Sequence, residues 1–177
     1  NPDAPDPRRP IERWRSPDWL TPFGPEAVLE ATLTSPDPPR PGPLNPETVG
    51  SWLFAPRQWR MQTLAVLLDA VRAAFTGGPL VVVPAADDEG TNWIAAVSWA
   101  MSAGTARRFY CSTLERPATL AQAANRGLHL VCVPRADLSV LQRREDIVVV
   151  DPAGEIELGD LDGAPHRTAR GDRIEVG

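Results

Sequence analysis

The chain has no lysine: every one of its 18 basic residues is arginine. That bias is the mark of a GC-rich genome and speaks to lineage rather than chemistry. Basic residues are also outnumbered, leaving a net charge of -5 and a pI near 5.1. No Lys/Arg run stands out, so an indiscriminate nucleic-acid binder is excluded and no nucleic-acid partner is expected. Cysteine is scarce. Cys111 and Cys132 lie in apolar, strand-like runs and are expected as small buried hydrophobes, the usual state of an intracellular free thiol. No set of His and Cys has zinc spacing, so no metal site is expected. No apolar run approaches the ~20 residues that span a bilayer, and no secretory signal opens the chain, so the expectation is a cytoplasmic protein with no membrane partner. It starts at Asn1 without methionine and stops on the strand-like Arg173-Ile174-Glu175-Val176, as a piece of a longer polypeptide would.

Proline is plentiful and unevenly spread. Of 20 prolines, 14 precede Arg57. Pro36 to Pro46 cannot build helix or central strand, because each proline lacks a donor and restricts its predecessor. Residues 1–44 therefore read as a proline-rich arm or linker, the tail of a preceding domain. Trp14, Trp19, Leu20 and Phe23 make it too apolar for a pure linker, so it is expected to lie against its own chain, a preceding domain or a neighbouring subunit. Glu26 to Leu33 fits a short strand or a helical turn equally well.

Residues 45–177 read as an α/β domain. Asn45-Pro46-Glu47 is an N-cap followed by proline at the first helical position. The helix carrying Trp52, Leu53 and Phe54 stops near Pro56. Met61, Leu64, Leu68, Val71 and Phe75 step by three or four along a second helix, which Gly77-Gly78-Pro79 ends. Strands are expected at 80–84, 108–114, 128–133 and 147–151. Helices at about 88–102, 118–126 and 137–144 separate them. The order βαβαβαβ predicts a Rossmann-like, mostly parallel sheet of about four strands with helices on both faces. An edge strand at Glu155-Ile156-Glu157-Leu158 and the final strand-like stretch add a C-terminal β extension.

An open α/β sheet places ligands at the carboxyl ends of its strands. The turn after the first strand, Pro84-Ala85-Ala86-Asp87-Asp88-Glu89-Gly90, has neither a Gly-x-Gly-x-x-Gly spacing nor a phosphate loop. Its acids would repel a pyrophosphate, so ordinary nucleotide binding is disfavoured and no cofactor is expected. Asp87 and Asp88 suit a first helical turn, where acids oppose the macrodipole. Their sharper reading is a ligand site shared with Ser112, Thr113 and Asp151. A nucleophile at Ser112 or Thr113 needs a base, and neither His129 nor His166 obviously supplies one; no catalytic residue is assigned. Tryptophan with arginine is a favoured interface pairing. Trp14, Trp19, Trp52, Arg57, Trp59 and Arg60 are therefore the interface candidates.

Several stretches carry a family resemblance. They are the helix 61–76 with Pro79-Leu80-Val81-Val82-Val83; Trp93-Ile94-Ala95-Ala96-Val97-Ser98; and Phe109-Tyr110-Cys111-Ser112-Thr113-Leu114-Glu115-Arg116-Pro117. The most specific is Leu158-Gly159-Asp160-Leu161-Asp162-Gly163-Ala164-Pro165-His166-Arg167-Thr168-Ala169. Together they resemble the middle domain of the GTPase-associated protein 1 family, multidomain proteins typical of actinobacteria. Trp14-Arg15-Ser16-Pro17 and Leu20-Thr21-Pro22-Phe23-Gly24 resemble the end of that family's N-terminal domain. Leu114 departs from the pattern, standing where a tyrosine is common. The resemblance implies a non-catalytic interaction or scaffold module of a larger protein in a signalling or conflict system. Its implied partners are other domains of the same polypeptide and a GTPase. The rival reading is a small-ligand or nucleotide-binding enzyme domain using the carboxyl-edge residues.

Overall fold

In the computed structural model the described residues are 8–19, 24–30, 32, 38–55, 60–142, 144–154, 166–167 and 173–174. Four strands form one all-parallel sheet: β1 (Leu80–Pro84), β2 (Cys111–Ser112), β3 (Leu130–Val133) and β4 (Ile147–Val149), in the spatial order β2-β3-β1-β4. β1 is buried along its whole length because it has a neighbour on each side. Val81 to Pro84 register with Leu130 to Val133, and Leu80 to Val82 with Ile147 to Val149.

Alternation along the strands divides the core in two. Val81, Val83, Leu130 and Cys132 face one helix layer; Leu80, Val82, Val131, Val133 and Ile147 face the other. The first layer holds α2 (Pro46–Leu53), α3 (Arg60–Phe75) and α4 (Asp87–Ala100). The second receives Leu120 and Ala123 from α6 (Leu120–Asn125) and Leu141 from α7 (Leu138–Leu141). This division follows from the winding. β1 to β2 skips over the place of β3, whereas β2 to β3 and β3 to β4 step the opposite way. Right-handed crossovers then put their helices on opposite faces. The α/β expectation with helices on both faces is met.

Local signals hold where they are strong. Asn45 caps α2 through a 2.9 Å bond from the Thr48 N–H, and Pro46 follows it. Gly77, at φ +89, turns the chain out of α3, and the Gly78 N–H bonds the Ala73 carbonyl at 2.9 Å. α3 buries Thr63, Ala65 and Leu67 beside Leu64, Leu68 and Val71 of its expected stripe, while Met61 and Phe75 are half-buried. Of the stretch Glu26 to Leu33, the part up to Glu30 is helical, in α1 (Pro25–Glu30), while Ala31 and Leu33 lie outside the described residues. A short α5 (Ala103–Ala106), capped by Ser102, was not anticipated. The strand expected over 108–114 shrinks to the two residues of β2. β5 (His166–Arg167) and β6 (Arg173–Ile174) pair antiparallel, while the strand expected at 155–158 lies outside the described residues. Among the described residues no helix is long and apolar enough to cross a membrane.

Candidate functional site

The winding reverses between β1 and β3, so the crevice beyond their carboxyl ends is where such a sheet would seat a ligand. Arginines occupy it. Arg135, just past β3, holds both carboxylate oxygens of Asp151 at 2.8 and 3.1 Å and reaches toward the Pro84 carbonyl at 3.5 Å. Asp151 also accepts the Ala153 N–H at 3.0 Å. Arg15 meets Asp88 at the start of α4, 3.0 Å away. Asp87 opens the same helix; its side chain lies outside the described residues. Ser112 donates to the Leu114 carbonyl at 3.1 Å, and Thr113 follows it, half-buried.

Strand order governs how far these groups stand apart. With neighbours about 4.8 Å apart, Ser112 at the end of β2, and Thr113 after it, lie about 10 Å from the β1 line and about 14 Å from β4, which leads to Asp151. The structure thus brings Asp88 and Asp151 to the central strands' carboxyl end, each against its own arginine, and leaves the hydroxyls at the far edge. Among the described residues no three His, Cys, Asp or Glu side chains gather as metal ligands would.

Glu115, at the end of the second-strand motif, acts as a clamp. Its N–H bonds the Cys132 carbonyl at 2.8 Å, and its carboxylate accepts from Thr119 at 2.7 Å and Arg126 at 2.6 Å. Burial pushes its carboxyl up, but those bonds, the Arg126 charge and Ser112 outweigh it, holding the group below the ordinary carboxylate range. Burial raises the Cys111 thiol to about 12 and that of Cys132 further, so neither is a thiolate at neutral pH.

The arm packs on its own chain. A 3-10 turn, Pro10–Arg13, buries Ile11 in the first core, and Trp14 packs beside it. Arg9 donates to the carbonyls of Ser98 and Met101, both at 3.0 Å, satisfying acceptors at the carboxyl end of α4. With Arg15 at the amino end, the seven residues Arg9 to Arg15 bridge a helix about 21 Å long, antiparallel to it. The returning chain is pinned at Gly42, whose N–H bonds the Glu12 carbonyl at 2.7 Å; a Cβ there would sit 1.8 Å from the Trp14 carbonyl oxygen. Asp18 binds Arg40 through Nε at 2.9 Å, and the Arg40 guanidinium holds its carboxyl below the usual range.

Among the interface candidates, Trp19 is 49% exposed and donates to the Arg13 carbonyl at 2.6 Å. Trp52 stands edge-on to the buried Trp93, with centroids 4.8 Å apart, and the Arg60 guanidinium lies 4.3 Å above it. Arg57 and Trp59 lie outside the described residues. Sequence reasoning missed Arg9, Gly42, Gly90 and Arg135. For Gly90 a signal existed, a glycine in a first helical turn; for the arginines, whose partners are distant in sequence, there was none.

The family model described as GTPase-associated protein 1, middle domain, matches residues 49–160. Two curated relatives from Mycolicibacterium smegmatis, strains MKD8 and ATCC 700084 / mc(2)155, are 38% and 39% identical over 176 residues. Each is named as a candidate ESX-1 scaffolding and assembly protein, SaeB. The alignments take in 99% of this chain and 21% of each relative, so the chain spans about a fifth of their length. No solved structure matches it. Matched over more than half its length and across most of the sheet, the chain belongs to the GTPase-associated protein 1 family through its middle domain.

Proposed function

We propose that this chain is a non-catalytic scaffold module, the middle domain at 45–177 with the arm at 1–44 as the tail of a preceding domain, within a larger cytoplasmic protein. The observation that carries the reading is the state of the carboxyl edge. Asp88 and Asp151 are each matched by an arginine of the same chain, and Ser112 is bonded to backbone. A catalytic constellation would leave such groups converging on a reacting atom; these are spent on holding loops. The relatives' scaffolding name supports the same reading. By that kinship the partners are proteins: other domains of the same polypeptide, components of an ESX-1 assembly and, through the family, a GTPase of a signalling or conflict system. Trp19 and the Trp52–Arg60 pair are the contact candidates the arm and junction offer.

The test is thermal stabilisation of the full-length protein by GTP, GDP, ATP, Mg2+ and Zn2+, each at 100 times a micromolar Kd. A ligand bound only to the native state at that ratio adds about 2.7 kcal/mol of stability. The scaffold reading expects no shift. A rise in the thermal midpoint that Asp151→Asn abolishes would transfer the assignment to a ligand-binding enzyme domain.

A further inference from the structure

The opposite, amino edge of the sheet carries a second surface, beside the place where Arg9 meets the Met101 carbonyl. α3 ends there and α4 returns there, and with α5 they enclose an open groove of about 370 Å3. Leu68, Phe75, Ala100 and Met101 make it apolar, and Arg72 stands on its rim. The Phe75 ring continues the wall outward: it stacks on His129 with centroids 4.1 Å apart, and His129 stacks in turn on Tyr110, which is 58% exposed. Arg72 has no acidic partner among the described residues, whereas Arg15, Arg40, Arg116, Arg126, Arg135 and Arg144 each have one. The nearby acid on α3, Asp69, is already engaged.

We infer that this amino-edge groove docks an acidic, apolar-faced polypeptide segment of a partner protein, a helix with a Leu/Phe stripe flanked by carboxylates. Charge complementarity selects the occupant. In a chain of net charge -5, an unmatched guanidinium on the rim of an apolar trough favours a ligand with a carboxylate at the margin and hydrocarbon in the middle. A nucleic-acid backbone asks for many phosphate contacts and gains nothing from Leu68 or Met101. Free phosphate leaves the apolar wall uncovered. Aromatic, methionine and arginine side chains are also those enriched where protein interfaces have their core, and helix-in-groove docking reads its partner through such a stripe.

The inference rests on the scaffold reading, and its test is separable from the ligand screen above. Fluorescence anisotropy of the full-length protein would use a labelled 18-residue peptide with Leu/Phe at helical spacing and Glu flanks, against its isomer with Lys for every Glu. The acidic peptide should bind at least tenfold more tightly, weaken as salt rises, and lose at least tenfold with Arg72→Glu. Arg72→Lys should retain most of the binding, and the Glu variant should melt where the parent does. Equal binding of the two peptides, or binding indifferent to the Glu variant, overturns the inference. So does a concentration-dependent dimer that Met101→Glu abolishes, because a second copy would then be the occupant.

Discussion

At Gly90 the first turn of α4 lies tight against Cys132 of the sheet. A Cβ there would lie 2.8 Å from the Cys132 sulfur and 2.9 Å from its Cβ. Alanine favours helix over glycine by about 1 kcal/mol, so propensity alone predicts that Gly90→Ala stabilises. Overpacking costs about 1–3 kcal/mol and should win, because the obstruction is a central strand and not a flexible tip. The expected result is a lower urea midpoint with an unchanged m-value; a raised midpoint would show that α4 can slide. His129 offers a second single-residue test. Its Nδ1 accepts the Tyr110 N–H at 3.1 Å, and burial holds the ring's pKa below the ordinary value. An unfolded histidine titrates near ~6.5. Above that pH both states are neutral and the contribution is complete; as pH falls from there to the lowered folded value the unfolded chain holds the extra proton and stability is lost. Thermal midpoints should therefore drop between neutral and mildly acid solution, and His129→Gln should flatten that slope. Glu115, held low, adds its loss only in more acid solution.

At the scale of elements, the arm and β2 show where local pattern runs out. α3, β1 and α4 were legible because burial on one or both faces writes a period into the sequence. β2 was not: Phe109 to Leu114 reads as a long strand, yet an edge strand has one neighbour. Here the His129 ring takes the Tyr110 N–H and the Ser112 hydroxyl takes the Leu114 carbonyl. Side chains thus compete with the ladder for backbone groups, which no hydrophobic pattern records. The candidate site was half legible. Asp88 and Asp151 fall at the carboxyl edge as strand order implied, but their neutralisation by Arg15 and Arg135 depends on contacts made only in the folded chain. The arm's seat on α4 yields a further expectation. Arg9→Ala should cost about 1.5–3 kcal/mol, the range for bonds made by a charged group, and speed amide exchange at the carboxyl end of α4. Asp18→Ala removes the exposed pair with Arg40 and the bond from its backbone N–H, and should lower the melting midpoint less than Arg9→Ala because the groups left behind are solvated.

At the scale of the whole molecule, two apolar layers share one thin sheet. Trp14, Trp52, Trp93 and Trp99 all belong to the α2–α4 layer, so tryptophan fluorescence there reports one side only, while far-ultraviolet circular dichroism reports every helix. Leu64 is buried on the tryptophan side and Leu120 on the other. Leu64→Ala and Leu120→Ala should each cost about 2–5 kcal/mol. If the layers melt as a unit, both substitutions move the fluorescence and dichroism transitions together. A Leu120→Ala variant whose fluorescence transition stays put would mean that the α6–α7 layer detaches alone. The strap along α4 has a mechanical side as well. Arg9 and Arg15 grip opposite ends of one helix with Ile11 seated between them. Tension drawn parallel to that helix must tear all three at once, as in a lap joint, whereas a sideways tug lifts them singly. An assembly hauling on Arg8 would find this domain stubborn in one direction and yielding in another.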